Sequence, residues 1–140
     1  MGIFSVPIIV GDLQWQRTMS LQALVDTGTS FSAVPGSVLR QLGVEPIVRR
    51  EFEFAQGEIR EMAVGRMRML VESQDIVTPV MFNQEDTEPL LGAVTLEEAL
   101  LGVDPVAQRL VPMRARGRAC PRRARQAKRP FPLAVRLGHR

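Results

Sequence analysis

Apolar and polar residues alternate over most of the first 113 positions, in short runs broken by turn residues. Ile3 to Val10 is rich in β-branched residues and closes on Gly11-Asp12, which predicts a strand and a turn. Gln14 to Met19 sets Trp15 among polar neighbours and predicts the return strand of a hairpin, with Trp15 buried in it. Leu21 to Val25 is a brief apolar run ending at Asp26-Thr27-Gly28, where the chain must turn. Phe31 to Val34 is extended up to Pro35, and Val38, Leu39 and Leu42 then recur at helical spacing until Gly43. Alternation returns from Ile47 to Phe54, with Phe52 and Phe54 on one face. Gln56-Gly57 supplies a tight turn, and Ile59, Met62 and Val64 begin the strand coming back. Met67, Met69 and Val71 continue it opposite Arg66, Arg68 and Glu72, which marks the methionines as sheet-facing core residues. Ile76 to Phe82 predicts another strand, Asn83 to Glu88 an acidic loop, and Leu90-Leu91-Gly92 a short apolar segment. Thr95 to Leu101 predicts a helix with Thr95 as N-cap, Glu98 as its capping partner and Gly102 as its stop. Gln108 to Val111 is a last strand before Pro112. Many short strands with two short helices predict an all-β fold, a closed or folded barrel rather than a sandwich.

Charge divides the chain in two. Residues 1–113 carry 8 Arg against 15 acidic residues, a net of −7, whereas residues 114–140 carry 9 Arg and 1 Lys with no acid, a net of +10. The overall +3 therefore describes neither part. The expected organisation is one domain over 1–113 and a basic, disordered tail over 114–140, too charged and too poor in apolar residues to offset its ordering entropy. With Phe131 as its only aromatic, the tail predicts at most weak, salt-sensitive contact with nucleic acid or an anionic surface. The positive tail folding back on the negative domain is a further reading, and its Arg/Ala/Pro/Gly bias equally fits GC-rich DNA read in a shifted frame.

Residue counts narrow the chemistry. The one cysteine, Cys120, and the one histidine, His139, both lie in the tail. A Ser-His or Cys-His pair inside the domain, a disulfide and a histidine-ligated zinc are thereby excluded. Glu85, Asp86 and Glu88 match no EF-hand spacing and read as a solvated loop, so no metal and no cofactor are expected. No apolar run is long enough to span a membrane, and Met1 to Val10 lacks a basic start, which makes a cytoplasmic location the expectation.

The sharpest feature is Ala23-Leu24-Val25-Asp26-Thr27-Gly28-Thr29-Ser30. A carboxylate directly after a buried strand is costly unless something satisfies or uses it. Gly28 lets the backbone turn sharply, and the hydroxyls of Thr27, Thr29 and Ser30 offer local hydrogen bonds. On those residues alone, an Asx-type turn is a sufficient account. The flanks add to it. This stretch resembles the active-site motif of retropepsin-like (retroviral-type) aspartic proteases, in which apolar residues precede Asp-Ser/Thr-Gly and a small or hydroxyl residue follows. Leu90-Leu91-Gly92 before a short helix resembles the family's second element. Ala55-Gln56-Gly57 stands where the family carries its flap, and Gly102 to Pro112 is similar to the closing segment of small prokaryotic members. The resemblance covers roughly residues 3–113.

It implies a retropepsin-like barrel with a flap hairpin, acting as an endopeptidase on extended peptide or protein substrates. Hydrolysis by carboxylates needs two of them sharing a proton, and the chain has one Asp-Thr-Gly, so the second must come from another copy in a homodimer. By resemblance Asp26 is catalytic, while Thr27, Gly28 and Thr29 support the active-site loop. Ala55, Gln56 and Gly57 then form the flap over the substrate, and Leu90, Leu91 and Gly92 pack behind the loop and build the substrate wall. Read without the family, Leu90-Leu91-Gly92 is ordinary core and Gln56-Gly57 an ordinary turn. Two other functions stay open: a catalytically silent dimeric module that binds peptides with the same fold, and nucleic-acid association led by the tail. Family members commonly pair through their terminal strands, and here a dense positive tail follows the last one.

Overall fold

In the computed structural model, which describes residues 2–117, the β-branched start of the chain forms β1 (Gly2–Gly11) and returns as β2 (Thr18–Asp26). They pair antiparallel, with Val6 opposite Ala23 and Val10 opposite Met19. Alternation puts Val6, Ile8 and Val10 on the same side as Ala23 and Val25, and all five are buried. Next come β3 (Ser32–Pro35) and helix α1 (Gly36–Gln41), whose Leu39 is completely buried. A long hairpin follows, β4 (Val48–Glu53) and β5 (Ile59–Val71), joined by a 3-10 turn at Ala55–Gly57. After β6 (Gln74–Asn83) and the two-residue β7 (Leu90–Leu91) stand helix α2 (Ala93–Glu98) and a terminal hairpin, β8 (Leu101–Asp104) and β9 (Arg109–Pro112).

The main sheet runs β1-β2-β7-β3-β6-β5-β4, and a second pairing joins β1 to β5. Val10 stands opposite Met69 in that seam, so β1, β2, β7, β3, β6 and β5 close on themselves and leave no free edge among the six. The barrel is filled by Val10, Val25, Leu39, Met67, Met69, Val80 and Leu91, all buried. β4 stays outside the ring, paired only with β5. The fold is therefore all-β with two short helices, as the alternation predicts. Residues 114–117 are exposed and belong to no element; the rest of the basic tail, Cys120 and His139 included, lies outside the described residues.

Four local expectations are corrected. The return strand begins only at Thr18, because Asp12 captures the Arg17 N–H at 2.7 Å and holds Gln14 to Arg17 in a turn. Trp15 sits in that turn, half-buried, with the Arg68 guanidinium 4.9 Å from its ring centroid. Thr95 is not an N-cap: α2 starts at Ala93 with Gly92 before it, and the Thr95 hydroxyl is buried against Ser32 and Thr78. Gly102 does not stop a helix but lies within β8, a strand the sequence reading missed.

Candidate active site

Asp26 is the last residue of β2, one position beyond the fully buried Val25. The loop it opens is wired to its carboxylate: the Gly28 N–H donates to Oδ1 at 3.0 Å and the Thr29 hydroxyl donates to Oδ2 at 3.1 Å. Thr29 N–H also donates to the Asp26 carbonyl at 3.1 Å. These are the local bonds of an Asx turn, and they explain the loop's shape. They leave open why the loop sits where it does.

That is set from behind. Leu24 and Val25 pair in parallel with Leu90 and Leu91, and the chain then runs directly under the loop. Gly92 N–H donates to the Ser32 hydroxyl at 3.0 Å, Ala93 N–H to the Thr29 carbonyl at 2.8 Å and Val94 N–H to the Ser30 carbonyl at 3.0 Å. The approach is close enough to require glycine. A Cβ on Gly92 would stand 2.6 Å from the Phe31 carbonyl carbon and 2.8 Å from the Ser30 oxygen, both main-chain atoms that cannot swing aside. Three buried hydroxyls continue the support inward. Ser32 meets Thr95 at 2.5 Å, and Thr95 meets Thr78 at 2.8 Å, so each of these side chains is satisfied without water.

The Asp26 carboxyl is held below the usual carboxylate range. Hydrogen bonds to its charged form, those of the Gly28 N–H and the Thr29 hydroxyl among them, outweigh the opposing pull of partial burial.

The carboxylate borders a cavity of about 710 Å³. Its far wall is β4 and the extended Phe54 that follows it, where period-two alternation puts Arg50, Phe52 and Phe54 on one face. The Phe31 ring, just past the Asp26 loop, meets the Phe52 ring edge-on with centroids 5.7 Å apart. Loop and hairpin therefore touch across the cavity through two aromatics. At the hairpin tip Phe54 N–H donates to the Glu58 carbonyl at 2.7 Å, while Gln56 and Gly57 take left-handed conformations with φ of 70° and 79°.

Of the residues singled out from sequence, Asp26, Gly28, Thr29, Ala55 and Leu90 border this cavity. Leu91 and Gly92 are buried behind the loop, and Gln56 and Gly57 are exposed at the tip. Thr27 borders a different groove, shared with Val94, Leu96, Leu101 and Val103. Sequence reasoning missed Phe31, Met81 and Asn83 as cavity residues. Phe31 follows the motif directly and carried a usable signal. Met81 and Asn83 did not, since they arrive through the parallel pairing of β3 with β6. Among the described residues no group of three or more His, Cys, Asp or Glu side chains is placed to hold a metal ion, and no helix is long and apolar enough to cross a membrane.

Two solved structures share this architecture. The retroviral protease-like domain of Ddi1 from Leishmania major superposes with a TM-score of 0.51 at 19% identity, over 80% of this chain and 89% of its own. The foamy viral protease-reverse transcriptase, solved with an RNA/DNA hybrid, superposes with a TM-score of 0.52 at 13% identity, over 82% of this chain and 13% of its own. The fold is retropepsin-like. No family model and no curated protein matches the sequence. The likeness is therefore one of backbone architecture, and within the retropepsin-like fold any chemistry must be argued from the site itself.

Proposed function

We propose that the protein is a homodimeric aspartic endopeptidase acting on extended peptide segments, with Asp26 of two copies as its catalytic pair. The observation that carries the reading is the Asp26 loop: a carboxylate at the end of a buried strand, fixed by Gly28 and Thr29 and opening on a cavity walled by a hairpin. One ionised carboxylate takes a proton from the attacking water while its protonated partner donates to the carbonyl oxygen of the scissile bond. The cavity suits an added strand, since β4 lies along it and is paired on one side only.

A second copy is needed because the described chain offers no other carboxylate in a matching loop. Thr27 is exposed, and it borders the groove that Val94, Leu96, Leu101 and Val103 line, which supports this face and the β8–β9 hairpin as the pairing surface. The lowered titration of Asp26 in a single chain also has a consequence on pairing. Bringing a like charge alongside pushes the second proton back onto the pair, which then titrates as a unit.

The test is cleavage of a mixed peptide library between about pH 4 and 7, across a range of protein concentrations, with Asp26→Asn as control. Activity per subunit that rises with concentration and disappears in the control supports the reading. A folded dimer with no cleavage points instead to a silent peptide-binding module, and activity surviving Asp26→Asn places the chemistry elsewhere.

A further inference from the structure

Most arginines of the barrel have partners. Arg49 pairs with Glu61 at 3.1 Å, Arg60 with Glu58 at 3.3 Å and Arg68 with Asp75 at 2.7 Å. Arg17 donates to the Gln41 carbonyl, and Arg40 stacks 5.1 Å from the Phe82 ring centroid. Arg50 and Arg66 differ: like Arg109 on the terminal hairpin, and among the described residues, neither has an ion pair, a hydrogen bond from its guanidinium or a ring beneath it. Both border one groove of about 190 Å³, with an apolar floor of Val48, Val64 and Pro79.

This groove adjoins the cavity beside Asp26, since Phe31 and Arg50 border both. The register explains the arrangement. Val48 faces Val64, Arg50 faces Met62 and Arg66 faces Pro79, so two exposed guanidinium groups flank an apolar centre on one face of the β4–β5 hairpin. Glu51 and Glu53 also border the cavity, but alternation turns them to the other face of β4, where Glu51 stands across from Glu61. A catalytic carboxylate centre by itself repels acidic substrates, and two unpaired guanidinium groups in the adjoining groove reverse that locally.

We propose that this site selects peptides carrying an acidic side chain outward of the scissile bond, held by Arg50, with Arg66 adding positive charge further along the hairpin and a large apolar side chain against Phe31 and Phe52. The inference rests on the endopeptidase reading above and names its substrate class. Arg50 is two strand positions from Phe52, ~6.7 Å along β4, and an extended peptide beside it advances equally per residue. The acid therefore falls about two residues from the side chain that packs on Phe31 and Phe52. Guanidinium suits this task, since its planar fork takes both carboxylate oxygens at once.

The experiment incubates the full chain with a mixed peptide library at low ionic strength and reads the cut positions by mass spectrometry. Asp and Glu should be enriched about three- to tenfold at one outward position, and the enrichment should vanish in the Arg50→Gln/Arg66→Gln double variant and fade in about 0.5 M NaCl. Cuts without acidic enrichment, or enrichment that survives the double variant, overturn the proposal. Absence of any cleavage is failure of the endopeptidase reading, and acid preference is then read separately. Anisotropy of a fluorescent Phe-containing peptide carrying Asp or Asn about two residues away should show tighter binding of the Asp form. Equal binding of the two forms overturns it.

Discussion

The loop around Asp26 and the hairpin of β4 and β5 face each other across one cavity, yet they are held in opposite ways. The loop is fixed from within and from behind: its carboxylate ties down Gly28 and Thr29, and the main chain at 92–94 is bonded to Thr29, Ser30 and Ser32. The hairpin tip has no such backing. Ala55, Gln56 and Gly57 are exposed, and a Cβ on Gly57 would meet nothing within 4 Å. Apart from Phe52 against Phe31, the hairpin's side-chain contacts are cross-strand and exposed, such as Arg49 with Glu61, or lie on its own ring, as where Arg60 stands 4.3 Å from the Phe54 centroid. On the proposed function, the reacting groups sit on the part with buried main-chain bonds, and the tip that would admit a substrate has fewer contacts to break.

That contrast can be broken most severely at its centre. Asp26→Asn should lower peptide hydrolysis about 10²–10⁴-fold while leaving the barrel folded, which a turnover assay beside a thermal melt will check. Removing the packing behind the loop comes next. Leu91→Ala should cost about 2–5 kcal/mol in a denaturant titration, because Leu91 is fully buried at the end of the pair that places the loop. Thr95→Val removes the middle of the hydroxyl chain and leaves Ser32 and Thr78 short of a partner, for a loss of about 1–3 kcal/mol; Thr95→Ser should recover most of it. On the hairpin the same effort should achieve less. Gly57→Ala meets no clash, only the strain of φ 79°, so a loss of about 1 kcal/mol is expected, with KM moving more than kcat. Last comes acid. Asp12, Asp26, Asp75 and Glu85 all titrate below their ordinary values, 3.8 for Asp and 4.5 for Glu. Their contribution is complete above those values and is lost as pH falls through the lower folded-state values. The denaturation midpoint should hold steady down to about pH 4.5 and then decline, more gently in Asp26→Asn.

The sequence was most legible where structure is local. β1, β6 and the β4–β5 hairpin follow from period-two alternation and Gln56-Gly57, and Asp26-Thr27-Gly28 stands out because a carboxylate after Val25 demands an account. Thr95 shows where such reading ends. Thr-Leu-Glu-Glu has the local form of a capping box, but the hydroxyl bonds Ser32, 63 positions earlier, and no neighbouring residue announces that. Trp15 was misplaced for a related reason: alternation suggested a strand, while the Asp12 carboxylate closed a turn around it. The strand β8 is only four residues long and holds a glycine, so its pairing with β9 defines it more than its composition does. Phe31 and Phe52 were visible as residues, and only the fold brings their rings together.

The parallel pairing of β2 with β7 also sets an order of events during folding. Asp26 lies in the first fifth of the chain, but the bond from the Gly92 N–H to the Ser32 hydroxyl closes a span of 60 residues. A contact that distant forms only after the intervening loop entropy has been overcome, so it belongs to the later part of folding. While the polypeptide is being synthesised, the carboxylate emerges early and stays on an unbacked turn until residues 90–95 have followed it out. The contacts that ready the loop are thus among the most distant in sequence, and the loop is complete only once residues 90–95 have joined it.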